Sequence, residues 1–256
     1  MFVVDFKKPE IDGGVAADIM KMRSHYLLPL DCLRKMNKLL SRLIVLFVTS
    51  VTLLPAMAQE IKGDSKAGQG KIATCIGCHG IKGYQASFPE IYKVPMIAGQ
   101  SAKYIATSLA GYQKGERKHP TMRGIATALS EQDMADLGAY YEALGKVEGA
   151  AAPGKAAESP GKVAELLKKG ACVSCHGDSF SKPIDPAYPK IAGQHSDYLF
   201  VALKSYKTET NATWGRANGV MAGIAKQYTN AELKALANYL QALPGELKTV
   251  PQAKFK

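Results

Sequence analysis

Two short motifs in the chain combine residue types that can hold a metal-containing group covalently. Four of the five cysteines lie in two Cys-x-x-Cys pairs, each followed directly by histidine: Cys75, Cys78 and His79, then Cys172, Cys175 and His176. This order is typical of c-type haem attachment, because the two thiols can add to the two vinyl groups at one edge of the porphyrin. The adjacent histidine then lies beneath the iron as an axial ligand. The motifs therefore predict two covalently bound c-type haems.

Paired cysteines also occur in structural zinc sites and in thioredoxin-like redox sites. A zinc site could use both pairs, but it would not require a histidine after each of them. A thioredoxin-like pair would lie in an alternating pattern of strands and helices, which this sequence lacks. A chance match is the remaining alternative. Haem attachment is the prediction that accounts for both histidines.

An internal repeat carries the two motifs. Three landmarks recur in the same order, namely Cys-x-x-Cys-His-Gly, Pro-x-Ile-Ala-Gly-Gln and Met-x-Gly-Ile-Ala. They begin at Cys75, Pro95 and Met122 in the first copy, and at Cys172, Pro189 and Met221 in the second. The intervening stretch is rich in small residues, as linkers are. The repeat predicts two domains, at residues 59–145 and 159–256, with a linker at 146–158.

A second axial ligand for each iron must come from elsewhere in its domain. Met221 is the only methionine after His176, and His195 is the only other histidine there. A lone methionine is usually a packing residue, but the repeated Met-x-Gly-Ile-Ala sequence favours an iron ligand. We therefore predict that His176 and Met221 ligate the second iron.

The first domain offers more candidates for the second ligand. Met122 aligns with the methionine of the second copy, whereas Met134 falls on the apolar face of a predicted helix and Met96 aligns with a lysine. His119 is the rival ligand, but it has no histidine counterpart in the second copy, which favours a surface loop residue. We predict that His79 and Met122 ligate the first iron.

Helical patterns dominate both domains. Ser130 and Thr229 each begin a capping box, and Asp64 could cap a helix before the first motif. Ser159 is placed as an N-cap, with Pro160 at the first helical position. Behind the capping boxes, apolar residues step by three or four: Met134, Leu137, Tyr141 and Leu144, then Leu233, Leu236, Leu240 and Leu243. Because neither copy contains a convincing alternating run with a hairpin turn, we predict an all-α fold.

The first quarter of the chain is predicted to lie outside these domains. Residues 36–58 carry basic side chains, then an apolar run, then small residues, which is the order of a secretory signal peptide. The apolar run is about 12 residues, whereas a membrane span needs roughly 20. We expect cleavage, a periplasmic location and no integral membrane span in the mature form; an uncleaved anchor is the alternative. Residues 1–35 are an unassigned extension, which includes Cys32.

Composition limits the possible functions. A hydrophobic fraction of 46% with 21% charged residues excludes a disordered polyelectrolyte. The formal net charge is +11, so acidic protein partners are a hypothesis. The lysines are dispersed along both copies, and we expect no nucleic-acid partner.

With these motifs in place, the chain resembles the dihaem cytochromes c of the cytochrome c4 family over about residues 60–245. The likeness rests on two Cys-x-x-Cys-His motifs, each followed by Pro-x-Ile-Ala-Gly-Gln and by a later methionine before a closing helix. It implies two tandem class I cytochrome c domains whose haems approach through their propionate edges. It also implies that the carbonyls of Pro95 and Pro189 accept a hydrogen bond from the axial histidine of their own domain.

Ligation by histidine and methionine predicts electron transfer rather than catalysis. Such an iron has no open position for oxygen, peroxide or substrate, and the soft thioether raises its reduction potential relative to bis-histidine ligation. We expect a carrier that moves electrons from a membrane-bound quinol-oxidising complex to a terminal oxidase or reductase, and that is not an enzyme.

Two other classes remain open. The cytochrome subunit of flavocytochrome c sulfide dehydrogenases looks similar, so a haem-bearing dehydrogenase subunit with a flavoprotein partner is the alternative function. A catalytic haem protein such as a peroxidase would need one iron without a firmly held sixth ligand. Peroxide turnover by the isolated protein would indicate that third class.

Overall fold

The computed structural model describes residues 61–146, 159–208 and 211–252. They belong to a compact unit that runs from Glu60 to Lys256. The predicted extension at 1–35 and signal peptide at 36–58 lie outside the described residues, as does nearly all of the predicted linker at 146–158. Among the described helices, none is both long and apolar enough to cross a membrane.

The first copy of the repeat folds into a helical domain with three short strands. Its elements are α1 (Ser65–Gln69), α2 (Ala73–His79), β1 (Gln85–Ala86), β2 (Tyr92–Lys93), α3 (Ala102–Lys114), β3 (Arg117–Lys118), α4 (Pro120–Thr127) and α5 (Glu131–Leu144). Each strand has only two residues, which is too short for an alternating pattern to show in the sequence. The prediction of an essentially helical domain is confirmed.

The second copy repeats this helical order. Its elements are α6 (Gly161–Lys169), α7 (Val173–His176), α8 (Ser196–Ser205), β4 (Gly215–Arg216), α9 (Gly219–Ala225) and α10 (Asn230–Ala242). The helix that carries the second cysteine motif, α7, has four residues, against seven in α2.

Three of the four predicted helix caps are present. The Asp64 carboxylate accepts hydrogen bonds from the backbone at the start of α1, and Ser130 and Thr229 form complete capping boxes on α5 and α10. The prediction for α6 is wrong by one residue, because Pro160 is the N-cap and the helix begins at Gly161. The Ser159 hydroxyl contacts Tyr239 instead of capping the helix.

In each domain the closing helix packs against the helix that follows the Pro-x-Ile-Ala-Gly-Gln motif. Helix α5 packs on α3, and α10 packs on α8. Leu137 of α5 and Leu233 of α10 are almost completely buried. At the first crossing, a Cβ on Gly138 would lie 2.5 Å from the Ala102 carbonyl oxygen, so the two helices could not approach this closely with a larger residue.

Backbone hydrogen bonds join the two domains. Strand β3 pairs with β4 in antiparallel register, with Arg117 opposite Arg216. The Ala217 amide extends this ladder by donating to the Glu116 carbonyl at 2.7 Å. The domains therefore share a small sheet, while β1 and β2 pair within the first domain.

The segment after α10 returns to the first domain. The Lys248 amide donates to the Ala98 carbonyl at 3.0 Å, and Val250 packs against the first-domain core. The predicted second domain, 159–256, thus includes residues whose contacts lie in the first.

A buried carboxylate ties the beginning of the first domain to its closing helix. Asp136 of α5 is only 2% exposed. It accepts hydrogen bonds from the Lys71 ammonium at 2.6 Å and from the Asp64 amide at 2.8 Å. The hydrogen bond from Lys71, followed by that from Asp64, lowers the pKa of Asp136 below its ordinary value.

Replacing Asp136 by asparagine is expected to lower the free energy of unfolding at neutral pH by about 1–3 kcal/mol, because the amide NH2 would replace the oxygen that accepts from the Lys71 ammonium. The folded-state pKa lies below the unfolded one, so the stabilisation is complete above about pH 4 and is lost as the pH falls further. Denaturant unfolding of the haem-loaded protein should therefore give a lower free energy of unfolding for D136N than for the unsubstituted protein at neutral pH, and the difference should disappear in acid. Glu131→Gln, exposed on the same helix, is the matched control. An equal deficit at low pH would contradict this account.

Candidate haem-binding site

The two cysteine motifs lie on short helices that place the thiols of each pair on one side. Cys75 and Cys78 are three residues apart in α2, and residues at this spacing share a helix face. Cys172 is the N-cap of α7 and Cys175 lies within it. All four described cysteines are partly buried, and none of them forms a disulfide. Each pair can therefore attach to one edge of a flat ring.

Both motif histidines are held by a proline carbonyl. His79 Nδ1 lies 2.8 Å from the Pro95 oxygen, and His176 Nδ1 lies 3.1 Å from the Pro189 oxygen. A carbonyl only accepts, so Nδ1 carries the proton and Nε2 keeps a lone pair for a metal. Burial lowers the pKa of both histidines, although the hydrogen bond to proline opposes it. The rings are therefore neutral and oriented as metal ligands.

The two candidate methionines occupy matching positions on matching helices. Met122 is the third residue of α4, and Met221 is the third residue of α9. The Met122 amide donates to His119 Nδ1 at 3.4 Å, and the Met221 amide donates to the Asn218 side-chain oxygen at 2.9 Å. A capping side chain thus fixes the backbone of each methionine.

The interpretation of His119 as a surface loop residue is wrong. It is the half-buried N-cap of α4, and its Nε2 lies 3.1 Å from the Tyr92 hydroxyl. Because Nδ1 accepts from the Met122 amide, both ring nitrogens are engaged. His119 therefore caps the helix that carries Met122, and Asn218 is its counterpart in the second domain.

The other rival ligands are placed less favourably. Met134 is buried in the core of the first domain, whereas Met96 lines the cavity as the residue directly after Pro95, whose carbonyl contacts His79. His195 is the N-cap of α8. Among the described residues that line the cavity at the two motifs, Met134 and His195 do not occur.

One continuous cavity of about 910 Å³ reaches the predicted site residues of both domains. Its lining includes all the predicted attachment and axial residues: Cys75, Cys78, His79, Met122, Cys172, Cys175, His176 and Met221. Both proline carbonyl residues, Pro95 and Pro189, line it as well. Its size is at the upper end of the range of about 300–1,000 Å³ for ligand pockets. The structure thus brings together the residues that the sequence predicts.

The cavity wall also contains two arginines that sequence analysis missed. Arg117 donates to the Tyr104 hydroxyl at 3.3 Å, and Arg216 donates to the Tyr198 hydroxyl at 3.0 Å. Neither guanidinium has an acidic partner among the described residues. The Arg117 Nε is buried and makes no hydrogen bond within the described chain. An uncompensated buried cation is costly, so this wall suits an anionic ligand.

The alignment of the repeat contained a signal for this pair. Arg117 stands five residues before Met122, and Arg216 stands five residues before Met221. The two tyrosines, Tyr104 and Tyr198, also match across the repeat. The positional match was available, but the sequence did not show that the two domains place both arginines in one cavity.

This set of side chains fits two c-type haems. The four thiols could form thioether links, and the neutral imidazoles and methionine sulfurs are donor types that would give a low-spin electron-transfer iron. Arg117 and Arg216 would supply positive charge to the anionic propionates of a haem bound in this cavity. A haem bound in this way exchanges a single electron at its iron, and the protein's part is to fix the ligands and exclude other reactants.

Comparisons with known proteins agree with this assignment. The family model described as Cytochrome c matches residues 65–144 and 161–244. The chain is 33% identical over 214 residues to cytochrome c4 of Pseudomonas aeruginosa, covering 81% of this chain and 100% of that protein. It is 28% identical to the thiosulfate dehydrogenase electron acceptor of Thiomonas intermedia, covering 77% of this chain and 91% of that protein.

A solved structure has the same architecture. The crystal structure of reduced recombinant cytochrome c4 from Pseudomonas stutzeri matches with a TM-score of 0.52 and 28% sequence identity. The match covers 71% of this chain and 100% of that one.

Replacing either candidate methionine by alanine is expected to remove about half of the far-red absorption band of methionine-ligated ferric haem, and M122A/M221A should remove all of it. The absorption spectrum of the oxidised protein measures this band. Met134→Leu is the matched control, because it alters a buried methionine outside the cavity. A full band in either single variant would show that the iron takes another ligand.

His119→Asn should leave the far-red band intact, because asparagine caps the equivalent helix at Asn218. His119→Ala removes the cap and is expected to lower the free energy of unfolding by about 1 kcal/mol. Spectra and denaturant unfolding of the two variants separate the roles. Loss of the band in H119N would identify His119 as an iron ligand and refute the capping role.

Proposed function

We propose a specific place in electron transport for this chain, which belongs to the cytochrome c4 family of dihaem cytochromes c. Members of this family carry two covalent c-type haems, and this chain is likewise a dihaem electron-transfer protein. We propose that it works in the periplasm, taking electrons from a membrane quinol-oxidising complex and delivering them to a terminal oxidase or reductase.

The proposed site assignments follow the two halves of the repeat. Cys75 and Cys78 attach the first haem, whose iron is ligated by His79 and Met122. In the second domain the corresponding set is Cys172, Cys175, His176 and Met221. The proline carbonyls hold the histidine rings, so ligand geometry changes little when the iron changes charge. Small reorganisation favours rapid electron exchange.

The observation that carries the proposal is the continuous cavity that both ligand sets line. Two low-spin irons in one cavity can pass an electron between domains, and the protein needs no substrate pocket to do so. A carrier of this kind accepts an electron at one domain and releases it from the other. This arrangement supports a shuttle between two membrane complexes.

A dehydrogenase is the other candidate donor. The relative from Thiomonas intermedia is named a thiosulfate dehydrogenase electron acceptor. A second one with that name, from Stutzerimonas stutzeri, is 30% identical over 198 residues. We propose this as the second candidate function, in place of a flavoprotein donor. Stopped-flow reduction with a purified quinol-oxidising complex, and separately with thiosulfate dehydrogenase, distinguishes the two donors, because the physiological one should be faster by orders of magnitude.

The reduced protein is expected to be oxidised by membranes that contain a terminal oxidase, with two electrons released per chain. Because the chain is basic, docking to an acidic partner should weaken as salt is added. Raising the ionic strength from about 0.01 M to 0.15 M shortens the Debye length from ~30 Å to ~8 Å, and the rate constant should fall about tenfold. Salt-independent rates would contradict charge-guided docking, and peroxide turnover by the protein alone would contradict the carrier function.

A further inference from the structure

Two buried glutamines cross from one domain to the other. Gln194 of the second domain donates from Nε2 to the Met96 carbonyl at 2.9 Å, and its Oε1 accepts from the Met96 amide at 3.0 Å. Gln100 of the first domain makes the same pair of bonds to Lys190, both at 2.9 Å. The side chains are 4% exposed for Gln100 and 3% for Gln194. Each side-chain amide therefore makes two hydrogen bonds to the backbone of one residue in the opposite domain.

The orientation of both amides is determined by their surroundings. Besides the bond across the interface, Gln100 Oε1 accepts from the Ser101 amide and Gln194 Oε1 accepts from the His195 amide, each at 3.0 Å. An N–H group can only donate, so the oxygen must face these amides. Exchanging the oxygen and nitrogen would break three bonds of each glutamine.

The residue that each glutamine contacts directly follows the proline whose carbonyl accepts from the axial histidine. Its amide and that carbonyl belong to the same peptide group. The Met96 amide nitrogen is bonded to the Pro95 carbonyl carbon, and that carbonyl oxygen accepts from His79 Nδ1. Hydrogen bonds thus run from Gln194 through one peptide group to His79. In the opposite direction, they run from Gln100 through the peptide group of Pro189 and Lys190 to His176. The two domains therefore make equivalent contacts with each other.

We infer that Gln194 and Gln100 are positioning residues that adjust the axial histidine of the opposite domain. A peptide group whose N–H is hydrogen-bonded is more polarised, so its carbonyl is a stronger acceptor. A stronger bond at Nδ1 makes the imidazole more basic, which stabilises ferric iron and lowers the reduction potential. The inference rests on the proposed ligation by His79 and His176. Each domain then sets part of the potential of the other.

The turn before each glutamine directs the side chain across the interface. Gly99 and Gly193 have φ values of +87° and +73°, a region that favours glycine. A Cβ at Gly99 would lie 2.6 Å from the Glu246 carbonyl oxygen. This explains why Gly and Gln stand together in both copies of the Pro-x-Ile-Ala-Gly-Gln motif.

The experiment uses a redox titration in which the two haems can be told apart. Met221→His in the haem-loaded protein should lower the potential of the second haem, since bis-histidine ligation favours ferric iron, and leave the first haem at high potential. In this background, Gln194→Leu is expected to raise the potential of the first haem. The expected change in its ferric–ferrous equilibrium is about threefold, which corresponds to ~30 mV.

Two matched variants in the same background test the direction of the effect. Gln100 bonds to the peptide group that holds His176, not to the one that holds His79. Gln100→Leu should therefore leave the reduction potential of the first haem unchanged. Ser101→Ala removes a neutral hydrogen bond across the interface, from the Ser101 hydroxyl to the Pro186 carbonyl, and should also leave it unchanged. The reciprocal experiment, Gln100→Leu in a Met122→His background, should shift the second haem and provides an independent test if Q194L does not fold.

The outcomes separate this inference from the function on which it rests. If Met221→His separates the potentials and neither Q194L nor the reciprocal variant moves the opposite haem, the inference is overturned while the ligation stands. A shift of equal size in S101A would attribute the effect to general loosening of the interface and would also overturn it. If Met221→His leaves both potentials unchanged, the ligand assignment is wrong, and the inference fails with it.

Discussion

The hydrogen bond from each motif histidine to a proline carbonyl is the contact on which both sites depend. Without it, a neutral imidazole could carry its proton on either nitrogen and rotate about its side-chain bonds. With it, the proton stays on Nδ1, and Nε2 of His79 and of His176 keeps its lone pair in a ring that lines the cavity. The cysteine pairs depend on this orientation, because they fix the edge of a porphyrin whose iron must lie within bonding distance of Nε2.

The second constraint is that each domain depends on contacts with the other. The β3–β4 ladder, the crossed glutamines and the ion pair between Lys93 and Asp197 all lie between the copies of the repeat. Two half-buried arginines, Arg117 and Arg216, share the same cavity wall. A domain of this size buries a limited apolar area by itself, so the covalent haem and the neighbouring domain both contribute to its core.

The sequence predicted what local chemistry requires, and it failed where the answer depended on packing between domains. Cysteine and histidine spacing is set by the porphyrin, and the capping boxes at Ser130 and Thr229 depend on four residues, so both could be identified directly. Ser159 was misassigned because its hydroxyl has a distant partner, Tyr239. His119 was misjudged because no local pattern distinguishes a capping imidazole from an exposed one. The partners of the glutamines lie 98 and 90 residues away along the chain, and only the fold brings them together.

The return of the chain after α10 has a consequence for biosynthesis. Residues that complete the first domain, including Lys248 and Val250, are translated after α10, the last helix of the second domain. The first domain therefore reaches its final form only when the second has been made and docked. Nascent chains interrupted before this point would leave part of the first domain uncovered, and incompletely folded chains of this kind are removed by proteases.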